Sequence, residues 1–169
     1  MSSDPNEIAK YITEDPDVPS NRIRAYHVSE SDFSEFDPSF INDIGFHFAE
    51  GLSQCLAVAC ERDYTEVVIY TVDLLVNKPI EANDALYWDE NEIETNDPRV
   101  NRILEGNPEP RIVRKVFKRY GYDCVRYSNE YEGPGIAYIV WDVNKIKIIK
   151  KQRARISDTD AEPVFEFLD

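Results

Sequence analysis

Two glutamates stand two residues apart in the stretch SNEYEGPGIAYIVWD, Ser128 to Asp142, just before a glycine turn and a run that alternates like a β-strand. A polar loop would account for them. So would a catalytic loop that presents a carboxylate, Glu132, to a sugar, with Glu130 beside it. A spacing of two puts both side chains on the same side of an extended segment. The chain has only two histidines. His27 closes an early strand pattern, RIRAYHVS. His47 lies in GFHF, where alternation turns it outward and solvated if Phe46 and Phe48 turn inward. Neither histidine has an HxxxH partner and there is no CxxC pair, so the spacing argues against a transition-metal site. There is also no P-loop and no Gly-rich dinucleotide fingerprint. Cys55, Cys60 and Cys124 lie in apolar stretches and read as buried free thiols, which suits a reducing cytoplasm. Taken one at a time, each polar candidate reads more readily as an ordinary structural or surface residue.

The elements that must position these groups follow from periodicity. Arg22–Ser29 and Glu66–Val76 read as strands, the second rich in β-branched residues. ESDFSEFDPSF reads as a loop with aromatic anchors Phe33 and Phe36. GLSQCLAVACERD has helical spacing. EPRIVRKVFKRYG is a second amphipathic helix, with Ile112, Val113, Val116, Phe117 and Tyr120 inward and Arg111, Arg114, Lys115, Lys118 and Arg119 outward. Gly121 is placed to cap it. YDCVRYS and IAYIVWD flank the glutamate loop as strands. Helices and strands mix without regular βαβ alternation, which points to an α+β fold. The expected organisation is an acidic tail or short helix over 1–20, one domain over 21–150, and a flexible tail over 151–169 that runs from basic to acidic. No stretch approaches the roughly 20 apolar residues of a membrane span, and the acidic N-terminal segment lacks the apolar run of a signal peptide. The net charge is −14. Such a field repels free nucleic acid and anionic membrane, yet a small pocket can still be locally basic and take an anionic ligand.

The order of these features is informative. After His27 come Phe33, Phe36 and Asp37, then GFHF before a helix, then a strand running into Asn77 and Pro79, then Asp84 and Trp88. The closing block holds Gly121, Tyr122, Asp123, Tyr127, Asn129, Glu132, Gly133, Tyr138, Val140, Asp142 and Ile146. From Arg24 to Ile148 the chain resembles the ADP-ribosyltransferase-like proteins of phages and prophages. Their strand ends Tyr-His-Gly-Thr, and their closing segment is of the form Gly-Tyr-Asp-Gly-Val-x-Tyr-x-Asn-x-x-Glu-Gly. This chain departs from that pattern with Val28-Ser29 in place of Gly-Thr, Cys124 in place of Gly, and Pro134 after Gly133.

The resemblance implies a split β-sandwich of two small sheets with peripheral helices, and NAD as substrate in the cleft between the sheets. It implies loss of nicotinamide and transfer of ADP-ribose to a macromolecular acceptor, expected to be a host protein in a bacterial cytoplasm. Breaking that glycosidic bond develops positive charge on the ribose, which a carboxylate stabilises; Glu132 takes this role. His27 would bond a ribose hydroxyl of the adenosine half, with Ser29 assisting where the family has Thr. Phe46 or Phe48 would stack on the nicotinamide, with Phe36 a weaker candidate, and Tyr26 belongs to the same cofactor-binding set. Glu130 has the spacing of the first glutamate in arginine-modifying transferases, where that residue orients or deprotonates the acceptor; otherwise it is a solvated loop residue. Water as acceptor would make the chain an NAD glycohydrolase. The rival class is a non-catalytic acidic module on the same fold, which would bind a basic partner or mimic nucleic acid.

Overall fold

A computed structural model describes residues 21–41, 43–83, 93–129, 135–158 and 163–168. The N-terminal segment 1–20, the loop with Asp84 and Trp88, and Glu130 to Pro134 lie outside the described residues. In chain order the elements are β1 (Ile23–Ser29), β2 (Phe46–Ala49), α1 (Leu52–Glu61), β3 (Glu66–Leu74), β4 (Pro79–Ala82), α2 (Pro98–Leu104), α3 (Pro110–Arg119), β5 (Cys124–Asn129), β6 (Gly135–Val140), β7 (Ile146–Asp158) and β8 (Pro163–Phe167). Among the described residues the fold is therefore α+β, one eight-stranded sheet with three α-helices. The strand order is β4-β5-β6-β2-β1-β3-β7-β8. Every neighbouring pair is antiparallel except β4 and β5.

β3 is buried at every position after Glu66, as its run of Val, Ile, Tyr and Thr demands of a strand covered on both faces. One face of the sheet carries Ala25, Phe48, Val68, Tyr70, Val72, Cys124, Tyr138 and Val140. On the other face, Val28, Ala49, Val67, Ile69 and Ala154 pack on α1, while Val125, Tyr127, Ala137 and Ile139 pack with residues of α2 and α3. The end of α3 matches its sequence signal. Gly121 has φ +89°, its N–H bonds the Lys118 carbonyl, and the Tyr122 N–H bonds the Phe117 carbonyl, the paired bonds of a Schellman cap. One expectation for this helix changes. Arg114 is not on the solvated face: its guanidinium donates to the carbonyls of Ile44 at 2.8 Å and Asp43 at 3.0 Å, and so holds the turn before β2.

The sheet is thin at one place. β1 and β3 share seven registered pairs and β2 and β6 share four, but β1 and β2 share a single one, Tyr26 with Ala49. The halves β4-β5-β6-β2 and β1-β3-β7-β8 meet there.

The segment from 151 is not the flexible tail its charge suggested. β7 runs for 13 residues to Asp158 and pairs β3 along most of its length, and β8 folds back on it. Its charged residues alternate with apolar ones. Lys151, Arg153 and Arg155 are exposed, while Ala154 and Ile156 are buried, as a half-buried strand requires. Phe165 of β8 is fully buried beside them. We expect Phe165→Ala to lower the unfolding free energy by about 3–5 kcal/mol, read as a fall in the urea midpoint. An unchanged midpoint would restore the tail reading.

Candidate functional site

β1 alternates, so His27 and Ala25 share one face and Tyr26 and Val28 the other. The His27 ring lies among four aromatic rings, with centroids 5.2 Å from Phe36, 5.5 Å from Phe48, 6.2 Å from Tyr70 and 6.4 Å from Phe46. The loop after β1 completes this cage. The Tyr70 hydroxyl donates to the Ser31 carbonyl at 2.7 Å and accepts from the Phe33 N–H at 2.8 Å. Phe33 stacks on Tyr70 at 4.2 Å, and Phe36 is thereby held edge-on to both His27 and Phe46.

The His27 ring is oriented by one bond. Its Nδ1 lies 2.7 Å from the His47 carbonyl, an atom that can only accept, so Nδ1 carries the proton and Nε2 carries the lone pair of the neutral ring. Nε2 has no hydrogen-bond partner among the described residues. Burial pushes the pKa of His27 from 6.5 down to about 4, against the opposing pull of the His47 carbonyl. The ring is a neutral hydrogen-bond acceptor at physiological pH.

Beside the cage, on the same face, a polar ladder crosses four strands. The Tyr138 hydroxyl donates to Glu50 at 3.3 Å, Arg126 is in register with Tyr138 on the next strand, and Arg126 bonds both carboxylate oxygens of Glu81 at 3.2 Å. Tyr138 is in register with Phe48, which links ladder and cage. Sequence reasoning missed Glu50, Glu81 and Arg126 as site residues. Their partners are set by register across β2, β6, β5 and β4, and no local pattern encodes that.

The loop with Glu130 and Glu132 lies outside the described residues, but its two ends are fixed. Asn129 and Gly135 are in register. Gly135 has φ +145°, and a Cβ there would meet Gln54 Oε1 at 2.5 Å. Gln54 Nε2 in turn donates to the Ile136 carbonyl at 3.0 Å. The first turn of α1 therefore clamps the start of β6.

The other sequence-predicted residues separate. Phe46 and Phe48 join His27 as expected. Ser29 shares the face of His27, but its hydroxyl accepts the Ser31 N–H in a local turn at 3.0 Å. Tyr26 does not join them: it packs on the α1 side of the sheet, because it neighbours His27 along a strand and so points the opposite way. His47 does turn away from the phenylalanines, yet it is not merely solvated. Its Nε2 bonds Asp43 at 2.8 Å and its Nδ1 meets the Tyr127 hydroxyl at 3.2 Å. Burial of Asp43 raises its pKa, but the hydrogen bonds to His47 and to the Gly45 and Ile44 N–H groups hold it below the usual carboxylate value. Cys55 and Cys124 are buried free thiols and Cys60 is partly buried; burial pushes Cys55 up to about 12, which leaves it unreactive. Among the described residues no three His, Cys, Asp or Glu side chains are placed to hold a metal ion. No helix among them is long and apolar enough to cross a membrane. No protein-family model and no curated protein matches the chain.

The neutral His27 predicts a pH dependence. Between pH 6.5 and about 4 the unfolded chain binds a proton on this residue that the folded chain does not. Stability should therefore fall as pH is lowered through that window. His27→Gln should flatten this part of the urea-midpoint profile, and the His27 ring protons should titrate by NMR near 4. A titration near 6.5 would contradict the caged, neutral ring.

Proposed function

We propose that the chain is an NAD-dependent ADP-ribosyltransferase, built as a split β-sandwich whose two halves meet at the β1–β2 junction. The observation that carries this reading is His27. It is an imidazole tied at Nδ1 to the strand across the junction, neutral, with Nε2 left as an acceptor inside an aromatic cage. A ribose hydroxyl is a fitting donor to such a nitrogen, and flat rings suit a nicotinamide or an adenine. The single registered pair between β1 and β2 supports a sheet that opens at that line.

The residues that flank the two glutamates, Asn129 and Gly135, are paired close by. Gly135, where β6 starts, is three residues from Tyr138, about 10 Å along a strand, and Tyr138 pairs with Phe48 against His27. In the proposed reaction the bond from the ribose carbon to the nicotinamide nitrogen breaks, and nicotinamide leaves with the bonding pair. The Glu132 carboxylate stabilises the positive charge left on the ribose ring. A nucleophile of the acceptor forms the new bond on that carbon and gives up its proton. Glu130, two residues away, orients or deprotonates the acceptor. His27 and the cage hold the cofactor and do no proton transfer, since a base with a pKa near 4 is a poor one at neutral pH.

The deciding experiment is nicotinamide release from NAD by purified protein, with and without bacterial lysate. Glu132→Gln should cut the rate by about 100-fold or more with little effect on binding. His27→Ala should instead act mainly on KM. Stimulation by lysate would mark a macromolecular acceptor, and release without it would mark water. No release in either condition, together with no NAD binding by calorimetry, would replace this reading with the acidic, non-catalytic module that a net charge of −14 also suits.

A further inference from the structure

On the face of β1 away from His27, strand register gathers charge at one end. Arg24 is opposite Asp73 on β3, and Tyr26 is opposite Thr71. Across β3, Asp73 is opposite Lys147 on β7, and Thr71 is opposite Lys150. Residues opposite one another in a ladder share a face, so Arg24, Asp73, Lys147 and Lys150 lie on the side where Tyr26 packs. Arg22, just before β1, joins them, with its guanidinium 3.8 Å from Asp73. α1 packs on Val28, Ala49, Val67 and Ile69, toward the end of β1 and the start of β3. The charged rows lie at the opposite end of those two strands.

Asp73 is 2 % exposed, and Arg24 Nε donates to it at 2.7 Å. It is the one carboxylate that register places in these rows, since Glu50, at the end of β2, bonds Tyr138 on the other face. Four cations therefore stand around one anion, in a chain whose net charge is −14. Arg22 Nε is buried and meets no acceptor among the described residues, and Lys147 forms no ion pair among them. A buried donor without an acceptor is costly, so the patch calls for an anionic group.

The chain carries such a group next to the patch. Residues 1–20 lie outside the described residues. They hold Asp4, Glu7, Glu14, Asp15 and Asp17 against Lys10 alone, and they lead directly into Arg22. The stretch Glu14 to Asp17 stands five to eight residues before Arg22, a reach of about 17–28 Å in an extended chain. From Arg22 to Lys150 the patch crosses two strand spacings and about four residues, roughly 17 Å. A tether this short supplies an effective concentration in about the millimolar range, so modest attraction suffices.

We propose that this patch is the docking surface of the chain's own acidic segment 1–20, with Glu14, Asp15 and Asp17 seated on Arg22, Lys147 and Lys150. The segment then straps β1, β3 and β7 together from the face opposite His27. The proposal does not depend on the function proposed for the His27 side.

The test uses the full chain and two readouts. One is the heteronuclear NOE of the backbone amides from Thr13 to Asp17. The other is the rate at which a glutamate-specific protease cuts after Glu14, relative to the free peptide 1–20. The amides should be as ordered as those of β1, and cleavage should be slower than in the peptide. Arg22→Gln with Lys147→Gln should speed cleavage by about ten-fold, and so should raising the salt to about 0.5 M. Asp15→Asn with Asp17→Asn changes no residue of the sheet, so it tests the contact without threatening the fold. It should loosen the same amides and shift those of Arg22 and Lys147. Wild-type amides as mobile as those of the peptide would overturn the proposal. So would a cleavage rate indifferent to both pairs of substitutions and to salt. Order that is lost on dilution would assign the patch to a second copy instead. Amide shifts at Lys147 on adding a single-stranded oligonucleotide to the wild type would assign it to an outside polyanion, and either result would also overturn the proposal.

Discussion

A carbonyl that must find a donor sits at the centre of this molecule. Alternation along β2 turns the His47 carbonyl the same way as that of Ala49, towards β1, but the ladder between the two strands holds only the Tyr26–Ala49 pair. Left unmet, a buried carbonyl costs about 1–3 kcal/mol. The Nδ1–H of His27 bonds this carbonyl from the neighbouring strand. The rest of this face follows from that bond. The ring must lie across the junction, so the apolar groups around it must be flat enough to pack on it, and Phe36, Phe46, Phe48 and Tyr70 are. Their packing makes a charged imidazole costly and keeps the ring neutral. Tyr70 then fixes the loop that carries Phe33 and Phe36.

Much of this was legible in the amino-acid order, because strand alternation is a local property. His27, Phe46 and Phe48 fall where period-two reasoning puts them, and the helix end at Gly121 is where a left-handed cap is needed. Tyr26 was placed in the site although the same alternation sends it to the other face. Composition misled for β7, where lysines and arginines at every second position masked Ala154 and Ile156 between them. The ladder from Glu50 to Glu81 and the Arg114 bonds to the turn before β2 join residues 31 and 70 or more positions apart, and no window of sequence contains them.

Charge is distributed with the same economy of place. Carboxylates dominate the chain as a whole, while lysines gather where α3, the turn after β3 and the turn after β6 converge. The two regions differ in kind. On the face that carries His27, Arg126 bonds Glu81 and Glu50 accepts from the Tyr138 hydroxyl. Where Lys78, Lys118 and Lys145 gather with Asp123 and Asp142, one positive charge is left over, so the local potential there opposes the field of the whole chain.

The margins of the sheet are short and obstructed. β4 has four residues and opens on Pro79, and its outer side is partly covered, since Asn83 and Asn96 exchange backbone bonds with Glu94 and Glu81. β8 has five residues, opens on Pro163 and carries exposed Glu166. Proline cannot donate to a ladder, and a charged residue on an outermost strand repels a second copy. A sheet of eight strands with such margins offers little template for stacking edge to edge. The excess of negative charge carried by every copy adds a repulsion that works in the same direction as these margins.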